Sequence, residues 1–282
     1  MKRKAYNELL RWKSSETRKP LLLQGARQVG KTWLISEFGK YEFKNYIRIN
    51  FERDSALELI FAESLDPQKI INDLSLYVGK KIEPESTLLF FDEIQAVPRA
   101  ITSLKYFNEE APEFFVIAAG SLLGVSIAGD TSFPVGNVSF LNLFPMDFEE
   151  FLLAAGEELI YENLQGAVTM EKFSQPIHEK VLNLMRTYMF VGGMPEVVKS
   201  WFNEKDVKKV KAIQKEILIS YQHDFSKYSS NEQAIKTSEL WNSIPTQLAK
   251  ENKKFQYSAI SKGSRASFWE STIEWLKNAG LI

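Results

Sequence analysis

The stretch Leu21-Leu22-Leu23-Gln24-Gly25-Ala26-Arg27-Gln28-Val29-Gly30-Lys31-Thr32-Trp33-Leu34 decides the fold. A short apolar run opens it, Gly25 to Thr32 fits G-x-x-x-x-G-K-[ST], and an amphipathic segment from Lys31 to Phe38 follows. The motif thus lies between an expected strand and an expected helix, the context in which it carries chemistry. Gly25 and Gly30 permit a tight loop and close backbone approach, so that successive amides from Gln28 to Trp33 point at one place. The helix N-terminus adds unsatisfied donors and the positive end of its dipole, and both favour an anion. Such a loop cradles phosphates. Lys31 is expected to bridge the β and γ phosphates as a compact charge, and the Thr32 hydroxyl to take one position on Mg2+. The expected nucleotide contacts are Gly25, Arg27, Gln28, Val29, Gly30, Lys31, Thr32 and Trp33.

Working outward, Leu88-Leu89-Phe90-Phe91-Asp92-Glu93 is an apolar strand ending in two carboxylates, the form of a Walker B segment. A hard cation prefers oxygen ligands, so Asp92 joins Thr32 in the expected magnesium set. Glu93, at the mouth of the same strand, is placed to act as general base on a water. A water-activating acid suits hydrolysis of ATP better than transfer to a small-molecule hydroxyl, and no acceptor-site signature supports a kinase. The branch of P-loop proteins with this Asp-Glu pair inserts a further strand between the two phosphate-binding ones, ending in a polar sensor. Phe114 to Ala119 followed by Gly120-Ser121 fits, with Ser121 as sensor or, equally, as a loop hydroxyl. The catalytic set is then Lys31, Glu93 and Ser121.

Five short runs read as strands: Leu21 to Gln24, Tyr46 to Phe51, Thr87 to Phe91, Phe114 to Ala119 and Val138 to Leu143. Alternating with amphipathic stretches, they predict an α/β fold with a parallel five-stranded sheet and flanking helices. From Asp147 the pattern turns helical, with Asp147 and Glu150 spaced as a capping box. Gly192-Gly193-Met194-Pro195 reads as a turn packed against the first domain, and the charge run from Lys205 to Lys215 as a solvated helix face. Beyond Lys227 two apolar stripes mark a small helical unit, with Pro245 starting or kinking a helix and Trp241, Trp269 and Trp275 in its core. The expected division is 1–155, 156–230 and 231–282.

The 282 residues are long enough for about two domains at roughly 150 residues each. Charged residues are 25% and hydrophobic ones 44%, and the net charge is -1, which removes any global case for a protein that coats a polyanion. There is no cysteine, hence no disulfide, thiol nucleophile or cysteine zinc site, a composition that fits the cytoplasm. Lys2, Arg3 and Lys4 are not followed by an apolar core, so they do not begin an export signal. No membrane segment is expected either, since the uncharged stretch from Phe114 to Gly129 is too short to span. His178 and His223 lack metal-ligand spacing.

The segments GARQVGKT, LLFFDEIQAVP, AAGSLL, FPVGNVSFLNLFPMDFEEFL, FVGGMPEVV, YQHDFSKYS and SIPTQLAKENKKFQYS occur in this order along the whole chain. Together they resemble a large family of prokaryotic AAA-domain ATP-binding proteins whose C-terminal half contains a domain of unknown function. The resemblance implies an ATPase core, a helical extension, a partial winged-helix-like unit and, in full-length members, a further domain resembling nuclease folds. The chain stops at Ile282, where relatives usually continue, so a C-terminal truncation is expected. After Pro134-Val135-Gly136, relatives usually carry a basic residue, whereas this chain has Asn137. An arginine acting on a neighbouring nucleotide from that position is therefore in doubt; Arg27 and Arg99 have no assigned finger role, and Arg27 more readily makes a structural ion pair.

From Lys250 to Ile282 there are six basic and three acidic residues, a local excess over the neutral whole. A second helix starting near Ser264, after a turn at Gly263, would present Arg265 at its N-terminal end, where DNA contacts are made. A DNA or protein partner is thus expected through residues 250–282, with protein packing at least as natural for such a fold. Two functions follow: a Mg2+-dependent, slow ATPase whose nucleotide state moves the C-terminal parts, or an ATP-gated DNA- or protein-binding module with little turnover.

Overall fold

The computed structural model describes residues 1–121, 134–166, 173–227, 230–251, 254–261 and 265–282. Helix α1 (Ala5–Ser14) precedes β1 (Leu21–Gly25), α2 (Lys31–Glu42), β2 (Asn45–Asn50), α3 (Leu57–Glu63), α4 (Pro67–Val78), β3 (Thr87–Asp92), α5 (Pro98–Glu110), β4 (Phe115–Ser121) and β5 (Ser139–Asn142). The five strands form one parallel sheet in the order β2-β3-β4-β1-β5, as the sequence predicts. Strand ends shift by a residue or two, and each of the five expected runs becomes one of the five strands.

The apolar runs are nearly continuous because the sheet is covered on both faces. Alternate residues feed two cores. Leu22, Leu89, Phe91, Val116 and Ala118 pack under α3, α4 and α5, and Leu21, Leu23, Leu88, Phe90 and Ile117 pack under α1 and α2. Helix α2 outruns the expected stop at Phe38. Gly39 marks no helix end: a Cβ there would lie 2.3 Å from the Tyr46 ring, so the glycine admits the aromatic side chain of β2 against the helix.

The C-terminal region is helical: α6 (Phe148–Ala154), α7 (Glu158–Gly166), α8 (Gln175–Val191), α9 (Pro195–Glu204), α10 (Val207–Lys227), α11 (Asn231–Leu248) and α12 (Ala266–Asn278). The capping box at Asp147 and Glu150 forms in full. Val197, Val198, Val210, Ile217, Phe225, Leu240, Trp269 and Leu276 continue the core on the α1 and α2 face, so the helices lie against the sheet domain. Lys208, Lys209, Lys211 and Lys215 line the exposed side of α10. Pro245 lies inside α11 rather than at its start. The helix expected before Gly263 is a single 3-10 turn, Tyr257–Ala259, while Gly263 and Ser264 themselves lie outside the described residues. No helix among the described residues is long and apolar enough to cross a membrane.

Candidate functional site

Strand β4 lies between β1 and β3, with Gly25 paired to Ser121 and Asp92 to Ala119. The C-terminal ends of these three strands therefore bring the glycine loop, Asp92, Glu93 and the Ser121 backbone to one edge of the sheet. The Ser121 side chain lies outside the described residues.

The loop is tightly constrained. A Cβ on Gly25 would sit 2.2 Å from the Leu143 carbonyl oxygen, so only glycine fits. Gln28 (φ 64°) and Gly30 (φ 94°) are both left-handed, and Gly30 caps the N-terminus of α2. For Gln28 that conformation is strained, a feature that clusters at ligand-binding loops. Four carbonyls of the loop are held by side chains. Lys31 Nζ donates to Gly25 O at 2.7 Å and Ala26 O at 2.8 Å. Tyr221 Oη, from α10, donates to Arg27 O at 2.7 Å, and Arg3 Nη1 donates to Val29 O at 2.8 Å. In a trans peptide each carbonyl opposes the next residue's N–H. The Arg27 and Val29 oxygens, held from outside the loop, leave the Gln28 and Gly30 amides turned the other way, and a row of such amides makes an anion-binding nest.

Both outside clamps are anchored. Arg3 is buried, with Nε on Glu150 Oε1 at 3.1 Å and Nη2 on Phe144 O at 2.7 Å. Glu150 also accepts the Lys4 amide at 2.7 Å, so the cap of α6 and the chain's start share one carboxylate. Burial, with Asp224 beside it, pushes the Tyr221 phenol up to about 12, which keeps its proton available for donation. Arg27 pairs with buried Asp224 at 2.7 Å, the structural ion pair that the sequence favoured. Pro195, at the start of α9, would lie 3.6 Å from a Cβ on Gly30. The preceding glycines explain themselves here: a Cβ on Gly193 would meet Met146 O at 2.1 Å, and the Met146 amide donates to Gly193 O at 2.7 Å. The Gly-Gly-Met-Pro turn is thus packed against the loop.

Lys31 has its pKa lowered to about 8, first by burial and further by Arg27, against the opposing pull of Glu93 and Asp92. Thr32 Oγ1 lies 3.4 Å from each Asp92 oxygen. A hydroxyl facing a buried carboxylate is a hard-oxygen donor set that fits Mg2+. Arg48 from β2 also reaches Asp92, with Nε at 2.8 Å and Nη2 at 2.5 Å from Oδ2. Glu93 is left-handed (φ 53°), and its Oε2 accepts from Gln95 Nε2 at 2.6 Å. The exposed Trp33 indole borders a cleft of about 720 Å³ that Arg3, Tyr6, Glu37, Tyr41 and Tyr161 also line.

Other expected residues lie elsewhere. Asn137 precedes β5 at the opposite end of the strands and binds Asn108 and Glu109 of α5. Arg99 donates to Phe61 O, tying α5 to α3. His178 and His223 are exposed, and no cluster of metal-ligating side chains occurs among the described residues. Arg265 is exposed at the N-cap of α12. Arg3, Arg48, Gln95, Tyr221 and Asp224 are site residues that the sequence did not point to. Only Arg48 left a signal, as the charged member of the strand Tyr46-Ile47-Arg48-Ile49, on the same face as Asp92.

A phosphate-type loop after β1, with one strand interposed before the acidic strand, defines a P-loop NTPase domain of the AAA type. Residues 17–152 match the AAA domain family, and residues 182–282 match a domain of unknown function, DUF8612, so the chain carries the first followed by the second. Among solved structures, the Walker-type ATPase PABY2304 of Pyrococcus abyssi shares the fold at 15% identity and TM-score 0.61, covering 99% of this chain and 89% of that one. A looser likeness is to the Aeropyrum pernix ORC2 protein in its ADPNP-ADP complexes, at 14% identity and TM-score 0.38 over 98% and 83% of the two chains. No curated protein matches the sequence.

Proposed function

We propose that this protein binds ATP with Mg2+ in the β1–α2 loop and hydrolyses it slowly, using the nucleotide state to reposition α9, α10 and the residues beyond them. The observation that carries this is the pair of loop carbonyls, Arg27 O and Val29 O, held from outside the loop, which leaves the Gln28 and Gly30 amides to the phosphates, with Lys31 and Thr32 beside them. Thr32 and Asp92 would hold the metal, which when bound neutralises charge on the β and γ oxygens. Lys31 would leave Gly25 and Ala26 for the phosphates. Glu93 would take the proton of the water that attacks the γ phosphorus, and ADP would depart with the bridging oxygen. Ser121 is kept as the proposed sensor. The base and ribose would extend past Trp33 into the 720 Å³ cleft. Because Tyr221 and Asp224 hold the loop from α10, a change at the phosphates has a direct path into the C-terminal region.

The three units 1–155, 156–230 and 231–282 are retained in this proposal, with the first as the nucleotide domain and the last as the winged-helix-like partner surface. One observation favours the low-turnover reading: Glu93 is engaged by Gln95 and needs to be released before it can act as a base. On the exposed side of α12, Glu270 and Glu274 stand with Lys277, a face better suited to a protein than to DNA. Calorimetry with Mg-ATP tests the first proposal: binding that survives Lys31→Ala unchanged refutes it. Glu93→Gln should keep binding and abolish phosphate release, and equal release from that variant removes Glu93 from its role.

A further inference from the structure

We propose that Arg48 is a resident cation for Asp92, held there in the metal-free protein and displaced by the divalent ion, so that this arginine sets how much metal the site requires. The inference rests on the nucleotide-site reading above for its purpose, but its geometry stands apart from it. Both guanidinium contacts, at 2.8 and 2.5 Å, fall on the same carboxylate whose oxygens lie 3.4 Å from Thr32 Oγ1.

The pair is lopsided in burial. The Asp92 side chain is 4% exposed and that of Arg48 is 43% exposed. A buried carboxylate without a counter-charge is costly, so Asp92 needs a cation at all times. A half-solvated arginine, by contrast, gives up little on letting go, because water replaces its partner. Arg48 can therefore be exchanged for another cation, whereas Asp92 cannot do without one. Lys31 and Arg27 already crowd positive charge at this edge, and holding Arg48 and a divalent ion on one carboxylate together would add further repulsion.

The displaced side chain has somewhere to go. Arg48 lines a cleft of about 350 Å³ at the sheet edge, with Asn50, Arg53, Asp54 and Tyr77 as neighbours. Asp54 accepts from Tyr77 Oη at 2.6 Å and from the Ala56 amide at 3.2 Å, and its carboxylate is the negative group on that side of the cleft. Strand β2 is the edge strand, so a swing of Arg48 into this cleft disturbs no pairing beyond the β2–β3 ladder.

The test uses the full chain with Mn2+ as the probe, read by the electron paramagnetic resonance of the free ion and without nucleotide. Arg48→Met should bind Mn2+ about tenfold more tightly than the wild type, the size of an ordinary coupling between two competing occupants. Asp92→Asn on top should abolish the gain. Arg48→Gln, which keeps a hydrogen bond to Asp92 without the charge, serves if the methionine variant folds poorly, and should show the same gain. A second arm measures the Mg2+ concentration for half-maximal binding of a fluorescent ADP, which should fall by about the same factor. Equal or weaker metal affinity in both Arg48 variants would show a permanent ion pair and overturn the proposal. Absence of any nucleotide binding by the wild type would instead strike the nucleotide reading, leaving the Mn2+ result to decide the role of Arg48.

Discussion

Nucleotide binding to this loop should take up a proton, and the uptake should grow with pH. In the free protein burial lowers the Lys31 pKa to about 8, with Arg27 adding repulsion against the pull of Glu93 and Asp92. A polyphosphate beside it favours the ammonium and raises the pKa again. At pH 7 roughly a tenth of the free protein has a neutral Lys31, and at pH 9 roughly nine-tenths does, so the uptake on binding should rise from about 0.1 to about 0.9 proton. Above pH 8 the affinity should then fall by up to about tenfold per pH unit until the pKa of the complex is reached. The sign for stability is opposite. The unfolded chain keeps this proton up to the usual lysine value of 10.5, so from about 8 to 10.5 the free protein gains stability from this group as pH rises, and below 8 the cost is fully present. Calorimetry in two buffers of different ionisation enthalpy, at pH 7 and pH 9, reads the uptake directly. Lys31→Arg, charged throughout, should show neither the uptake nor the slope. A wild-type heat of binding that is independent of buffer at pH 9 refutes the reasoning.

Arg3→Ala should destabilise the protein by about 3 to 5 kcal/mol, since it leaves the buried Glu150 carboxylate unpaired and frees Val29 O. Urea denaturation checks this, and Glu150→Gln in the same chain should restore part of the loss; a loss below about 1 kcal/mol would place the pair outside the fold's support. Gly193→Ala should cost about 2 to 3 kcal/mol, because its Cβ meets backbone atoms of Met146 at 2.1 to 3.0 Å that cannot give way cheaply. The same denaturation experiment tests it, and an unchanged midpoint would contradict the packing.

What the sequence made legible was local. Gly25 to Thr32 and Asp92 lie within short motifs whose residue types are fixed by phosphate and metal chemistry, and strands buried on both faces write themselves as apolar runs. What it hid was distant. Arg3 reaches Val29 across 26 positions, Arg48 reaches Asp92 across 44, Tyr221 reaches Arg27 O across 194 and Asp224 reaches Arg27 across 197. No periodicity relates such pairs, and Lys2-Arg3-Lys4 looks like a surface charge cluster until the fold buries its middle member. Gly39, just past the expected end of the helix at Phe38, is present for the Tyr46 ring, a packing demand invisible along the chain.

The distant contacts also decide how the site behaves as a unit. A glycine-rich loop is flexible by composition, and the entropy of fixing it has to be met before any phosphate arrives. Here Lys31 meets part of it from within, but it must give up Gly25 O and Ala26 O if it is to reach a phosphate. Arg3 and Tyr221 have no such conflict: their carbonyl bonds remain compatible with an occupied nest. On the nucleotide reading proposed above, the loop is held by one clamp that a bound phosphate would release and two that it would not, one from the start of the chain and one from α10. Since Arg27 is tied to Asp224 on the same helix, a shift of the loop on release of Lys31 would, under that proposal, reach α10 through two bonds one helical turn apart. The proposed coupling between the glycine loop and the helical region would need no long pathway, because the two are in contact at the loop itself.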